Sequence, residues 1–403
     1  MRLDRFNASD QVLDDGTDKR PEPRTGRRDR RSASATEIVK ASLFLVSLMW
    51  VLFGMTIPEE ARDPTQRSVL SGHSLVVNDV AFAPDGRTLA SASSDKTVAI
   101  WDVATGRSRE AVLYHKAPVQ CVAYSPDGGL LASGGEDAVV TLWDTGTWEP
   151  HRQLTGHLAK IMAAQFSPDG KILASCGHDG TIRLWDVATG RDLGALNGDG
   201  QPLTCLVWAP DGRTIAVAGP GRAIVLWDLA TRRERAALRS LDAPLITALS
   251  FSRDGRFLAS AGSGGDAVTL WDLTTGRERT RLLGHLGRVI SSVAFSPDGL
   301  LLASTGLDAT IRLWDVASGT TLAVLRGHRG LVKTVAFSPD GQTLASAGND
   351  ETVRVWDVAR AIAGSPSDSE VKKGVSLIQR SAGGAMTCWA FLLPIQGRGL
   401  GGG

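Results

Sequence analysis

The sequence predicts an all-β fold, a closed ring of seven four-stranded blades or β-propeller, preceded by one hydrophobic helix. Three observations predict the ring. Trp-Asp dipeptides recur at Trp101-Asp102, Trp143-Asp144, Trp185-Asp186, Trp227-Asp228, Trp271-Asp272, Trp314-Asp315 and Trp356-Asp357, at intervals of 42, 42, 42, 44, 43 and 42 residues. A fixed period of this length marks a blade of four short strands. In phase with it stand Pro84-Asp85-Gly86, Pro126-Asp127-Gly128, Pro168-Asp169-Gly170, Pro210-Asp211-Gly212, Pro297-Asp298-Gly299 and Pro339-Asp340-Gly341, with Arg253 in place of Pro in the fifth unit. Each Asp-Gly offers the positive φ of a tight hairpin. Gly-His corners at His73, His157, His285 and His328, with Tyr114-His115 in the matching place, each precede their Trp by 28 or 29 residues.

Before the repeats, residues 1–37 are polar and charge-rich and are expected to be disordered. Residues 24–31 hold five Arg against one Asp, and the uncharged run 41–57 follows. Extended back across Lys40 to residue 38, it has the length of a membrane span. A single-pass anchor over 38–57 is the expectation, with the basic side cytoplasmic and the ring on the far side of the membrane; a cytoplasmic protein is the alternative. A helix packed on the ring fits less well because the run is apolar all round, and a cleaved leader fits less well because no small-residue site follows. A linker (58–65), the ring (66–358) and a tail expected to be disordered (359–403) complete the chain. After Trp356 no fourth strand follows, so residues 66–70 are expected to close the last blade and cover its edge.

Among 403 residues, 42% are hydrophobic and 22% charged, enough apolar matter for a real core. The net charge of +1 gives no global field for nucleic acid. The four cysteines are far apart in sequence, without metal-finger spacing. One aromatic precedes each hairpin (Phe82, Tyr124, Phe166, Trp208, Phe251, Phe295, Phe337) and reads as core.

These repeats resemble the WD-repeat propeller family, typified by the G-protein β subunit, over about residues 66–358. The resemblance implies a buried tetrad in each regular blade: His73, Ser91, Asp95 and Trp101; His115, Ser133, Asp137 and Trp143; His157, Ser175, Asp179 and Trp185; His285, Ser304, Asp308 and Trp314; His328, Ser346, Asp350 and Trp356. The fourth unit departs from it, with Asp199, Val217 and Gly221 at the His, Ser and Asp positions. In the fifth, Asp242 replaces His and the turn lengthens to Gly264-Gly265-Asp266.

The resemblance also implies partner contacts on the narrow top face, at Val76, Asn78, Ser94, Pro118, Gln120, Glu136, Lys160, Met162 and His178. It extends them to Thr204, Leu245, Thr247, Ser291, Leu307, Leu331, Lys333 and Asn349. With five of seven His in tetrads, no P-loop and no nucleophile elbow, no catalytic residue, metal or cofactor is expected. The expected function is a non-enzymatic, monomeric scaffold for protein or peptide partners, not nucleic acid, held at a membrane through residues 38–57. The alternative is a small-ligand sensor or hydrolase built on the irregular blades, around Asp199, Trp208, Asp242 and Asp266.

Overall fold

A computed structural model describes residues 63–364, except 199, 222, 241 and 242. Seven antiparallel sheets of four strands follow one another, each built from consecutive strands except the last. Blade 1 runs Val77–Phe82, Thr88–Ser93, Thr97–Asp102 and Ser108–Tyr114 from the centre outward. Blades 2 to 6 repeat this over 119–155, 161–197, 205–239, 245–283 and 290–326. Blade 7 takes Val332–Phe337, Thr343–Gly348 and Thr352–Asp357, and its outer strand is Gln66–Ser71 from the start of the ring.

That closure is antiparallel, pairing Ser68 with Val355 and Ser71 with Thr352. Polar side chains fasten it. The Arg67 guanidinium meets Asp357 at 2.8 Å and donates to the Thr343 hydroxyl, and Arg354 donates to Gln66 Oε1 at 2.6 Å. Closing the ring this way leaves no blade with an unpaired third strand, the edge on which β proteins aggregate.

The core lies between blades. Leu70, Val353 and Val355 of blade 7 pack on Val77, Leu89 and Trp101 of blade 1, and the other junctions are built alike. Second strands such as Thr88–Ser93 are buried on both faces, so their small residues (TLASAS) let neighbouring sheets approach. Outer strands such as Arg233–Arg239 are almost wholly exposed and correspondingly charged.

On the bottom face all seven Asp-Gly hairpins form, with φ between 65° and 74° at Gly86, Gly128, Gly170, Gly212, Gly255, Gly299 and Gly341. A Cβ at each of these glycines but one would meet the proline of a neighbouring hairpin: Pro339 at Gly86, Pro84 at Gly128, and so on round the ring. The exception is Gly299, whose neighbour carries Arg253 where the others have Pro.

The expected tail opens with a helix, Val358–Gly364, whose Val358 and Ala361 are buried against blades 6 and 7. Residues 365–403 and 1–62 lie outside the described residues. The single-pass localisation is corrected. Among the described residues no helix is long and apolar enough to cross a membrane. The seven-residue helix falls far short of the roughly 20 residues a span requires. The run 38–57 itself is not among the described residues.

Candidate functional site: the top face and channel mouth

The top face begins at the corners between blades, and each regular corner is held by hydrogen bonds running inward. In blade 1, His73 Nδ1 lies 2.8 Å from Asp95 Oδ2, His73 Nε2 lies 2.7 Å from Ser91 Oγ, and the Trp101 indole donates to the same Oγ at 2.7 Å. One proton order satisfies all of them: indole N–H to serine, serine O–H to Nε2, and Nδ1–H to carboxylate, with a neutral imidazole. The network recurs in blade 3 at 2.7, 2.8 and 2.9 Å, and in blade 7 with His328 to Asp350 at 2.9 Å, His328 to Ser346 at 2.7 Å and Trp356 to Ser346 at 2.8 Å. Blade 6 keeps it with a 3.1 Å His285–Asp308 contact. In blade 2 the serine bonds are 2.7 Å, but His115 and Asp137 stand 3.6 Å apart.

These networks shift the proton affinities of their members. Burial lowers the proton affinity of His157 and His328, against the pull of Asp179 and Asp350. Burial works to raise the Asp308 and Asp350 carboxyls, but hydrogen bonds from their histidines and from the backbone of Leu286 and Arg329 outweigh it and hold both well below the usual carboxylate range. These carboxylates are committed to structure. Asp179 is among them. Its sequence neighbours Cys176 and His178 are wholly buried and exposed respectively, and among the described residues no group of three metal-binding side chains is found.

Blade 5 retains half a network, since Trp271 donates to Ser260 Oγ at 2.8 Å. Ser260 is legible in the sequence only by counting strand positions across the lengthened turn. Blade 4 has Val217 there, which offers no acceptor. Trp208 is buried in the core, its indole donating to the Gln165 carbonyl at 3.0 Å, and Asp266 is exposed. Asp199 and Asp242 lie outside the described residues.

A channel of about 700 Å³ runs down the ring axis, lined by all seven inner strands. Its mouth is shaped by a recurrent bulge. In six inner strands the pairing register slips near the start, at the second residue in five (Asn78, Gln120, Met162, Ser291 and Lys333) and at the third in blade 5 (Thr247), and each of these lines the channel. A bulge leaves one residue unpaired and re-aims its side chain. Thr204 lines the channel from just before the shorter blade 4 strand, Cys205–Trp208.

Four of the seven use that aim to staple blades. Asn78 donates to Val119 O at 2.8 Å, Thr204 to Ile246 O at 2.5 Å, Thr247 to Ile290 O at 2.9 Å, and Ser291 to Val332 O, in each case the next blade's inner strand. Gln120, Met162 and Lys333 do not. Gln120 reaches only Glu136, at 3.5 Å. One residue deeper, the Asp79 carboxylate accepts from Val122 N and the Thr334 hydroxyl, joining blades 2 and 7 to blade 1; burial pushes its pKa up to about 6.

Of the other nominated residues, Leu245 and Leu331 line the channel and are partly exposed, as are Val76 and Lys160, which precede the inner strands of blades 1 and 3, whereas Glu136, His178, Leu307 and Asn349 are exposed at the corners. Sequence reasoning passed over the most exposed apolar side chains on this face. Leu158 is 88% exposed, Tyr114 75% and Leu286 73%, with Leu75 beside His73 and Leu283 beside the blade 6 corner also open. For Leu158 and Leu286 the signal was available, for each directly follows a Gly-His corner and lies outside the strands.

With the geometry in hand, the kinships are consistent. A family model described as the IFT122 first beta-propeller matches residues 76–290, just over half of the chain, and one described as WD domain, G-beta repeat matches 276–315 and 319–357. Protein Mut11 of Chlamydomonas reinhardtii is 50% identical over 54 residues, 12% of this chain and 15% of that protein. The Notchless protein homolog of Arabidopsis thaliana is 46% identical over 50 residues, 12% and 10% of the two chains. WD repeat-containing protein SL1-17 of Schistosoma mansoni is 55% identical over 38 residues, 9% and 13%. The chain thus spans only a small fraction of the length of these relatives, about one repeat. Repeat period, blade topology and the matched models agree, and the chain belongs to the WD-repeat β-propeller family.

Proposed function

We propose that this propeller is a rigid scaffold that binds a protein or peptide partner on its top face and does no chemistry of its own. One observation carries the reading. Of the eight large apolar side chains most exposed among the described residues, six (Leu75, Tyr114, Leu158, Leu283, Leu286 and Leu307) stand at the top ends of blades 1, 3, 5 and 6 or the corners between them. Scattered exposed leucines are ordinary, but their gathering on one face rimmed by polar corners is the pattern of a recognition surface. The committed tetrad carboxylates and histidines support the non-enzymatic part, since a base or nucleophile must be free of structural duty. The expected test is affinity capture from the source cell with the full chain and with Leu158→Asp plus Leu286→Asp. Both positions are exposed, so the fold should hold while one or more partners are lost; an unchanged set of partners refutes the reading.

A further inference from the structure

Blade 4 departs from its siblings along its outer edge as well as at its corner. Residues 205–239 hold six Arg against three acids, whereas blade 2 (119–155) holds one Arg against five, in a chain whose net charge is +1. The outer strand, Arg233–Arg239, ends its sheet, and every residue in it except Leu238 is exposed; the outer strands of blades 2, 3, 5, 6 and 7 are each more covered. Elsewhere such arginines serve the ring. Arg67 pairs with Asp357, Arg109 with Asp102 at 3.5 Å and Arg281 with Glu278 at 2.5 Å, while Arg152 and Arg279 donate to carbonyls of the next blade. In blade 4, Arg232 at the turn does likewise, donating to Leu193 O. Among the described residues, Arg233, Arg235 and Arg239 have neither an ion pair nor a side-chain hydrogen bond. Asp228, on which the charge of Arg235 bears, is taken by Thr231, whose N–H and hydroxyl donate to it at 2.7 and 2.8 Å.

Charge on an edge strand keeps it from pairing with other copies of itself. Charge of one sign is also a filter, for it repels basic strands and favours acidic ones. The register slips between Leu226 and Trp227, so Arg235 is left without a partner and its side chain is re-aimed, while Ala236–Arg239 run regularly opposite Leu226–Ala223. Alternate residues of an end strand turn N–H and C=O outward, and the small Ala236 and Ala237 leave room beside them. We propose that the outer edge of blade 4 takes an extended acidic segment of a partner as a fifth strand. Its main chain pairs with Ala236–Arg239, and its carboxylates meet Arg235, Arg239 and Arg233. This edge lies on the rim of the ring, apart from the top face, so the proposal goes beyond the scaffold reading and fails or stands separately from it.

The test selects displayed random dodecapeptides on the full chain and removes those that also bind Arg235→Glu plus Arg239→Glu, which discards ligands of the top face. The survivors are titrated by fluorescence anisotropy, and hydrogen exchange is followed along Arg233–Arg239. The expected peptides alternate Asp or Glu with uncharged residues, and the double variant binds them roughly tenfold or more weakly. Methylating alternate backbone nitrogens of the peptide should abolish binding, and bound peptide should slow exchange in Ala236–Arg239. Arg235→Lys plus Arg239→Lys should retain most of the binding. Thermal unfolding verifies that each variant is folded, and Arg235→Gln alone carries the test should the double variant fail to fold. No peptide surviving the counter-selection, binding that persists after backbone methylation, or unchanged exchange along the strand overturns strand addition. Dimerisation of the full chain that the double variant abolishes would make a second copy the occupant and overturn it as well.

Discussion

Blade 7 and blade 4 solve the same problem by different means. Blade 7 is held from within. His328, Ser346, Asp350 and Trp356 close a buried network across its corner, and Asp350 also accepts from the Thr352 hydroxyl at 2.9 Å. Blade 4 lacks that acceptor serine and is held from outside. Its Trp208 backbone N–H donates to Gln165 Oε1 of blade 3 at 2.8 Å, Leu203 N to Gly177 O at 3.0 Å, and Gly221 N to Pro244 O of blade 5 at 3.0 Å. The corner replacing Gly-His presses on blade 3 so closely that a Cβ at Gly180 would stand 2.9 Å from the Gly200 carbonyl group. Blade 5 leans outward likewise, with Gly264 N on Arg288 O at 2.7 Å. The lesson is that a closed ring shares stability between neighbours, so a blade can lose its own network once its edges are bonded on both sides.

The largest effect that sharpens this comparison is expected from Ser346→Ala. It strips two buried partners at once, His328 Nε2 and the Trp356 indole, and should destabilise the domain by about 3 kcal/mol in urea unfolding. Ser260→Ala in blade 5 orphans the Trp271 indole alone and should cost about 1 kcal/mol. Equal losses for the two would break the distinction between internally and externally held blades.

Acid comes next in size. His157 and His328 resist protonation in the fold, whereas the unfolded chain takes up protons near 6.5. The unfolded state then binds more protons, so stability falls as pH drops below that value, down to the folded pKa of each histidine. Asp308 and Asp350, held low, add stability that is present above 3.8 and is lost as pH falls further toward their folded values. Blades 3, 6 and 7 are therefore expected to lose hydrogen-exchange protection on acidification before blade 4, which has no histidine at its corner. Simultaneous loss in all blades would show that the ring unfolds as one unit.

The smallest effect is at the bottom. Arg253→Pro would restore the one missing proline contact, against Gly299, at a position whose backbone N–H makes no hydrogen bond to the protein backbone. It should stabilise by about 0.5 to 1 kcal/mol, mainly by restricting the unfolded chain. A melting temperature that falls would mean the fifth hairpin does not share the geometry of its six siblings.

Much of this was legible in the sequence because repetition supplies its own control. Seven Trp-Asp pairs in phase with seven Asp-Gly turns point to one topology, and the missing fourth strand after Trp356 left residues 66–70 to close it. The functional surface was less legible. Asn78, Thr204, Thr247, Ser291 and Lys333 share one repeat position and read alike as contact residues, yet four of the seven residues at that position staple blades and Lys333 does not. Which hydroxyl meets the next blade's carbonyl depends on a bulge and a distance across a junction, and neither is encoded in any one repeat.

The sequence by itself determined the number of blades, their turns and the way the ring closes, since these follow from local patterns of turn and apolar residues repeated seven times, and the family resemblance implied the five tetrads. Only the tertiary structure decided which side chains remain unspent. Asp79, by contrast, is spent on the hydroxyl of Thr334, 255 positions away in the chain, because ring closure sets blade 7 beside blade 1.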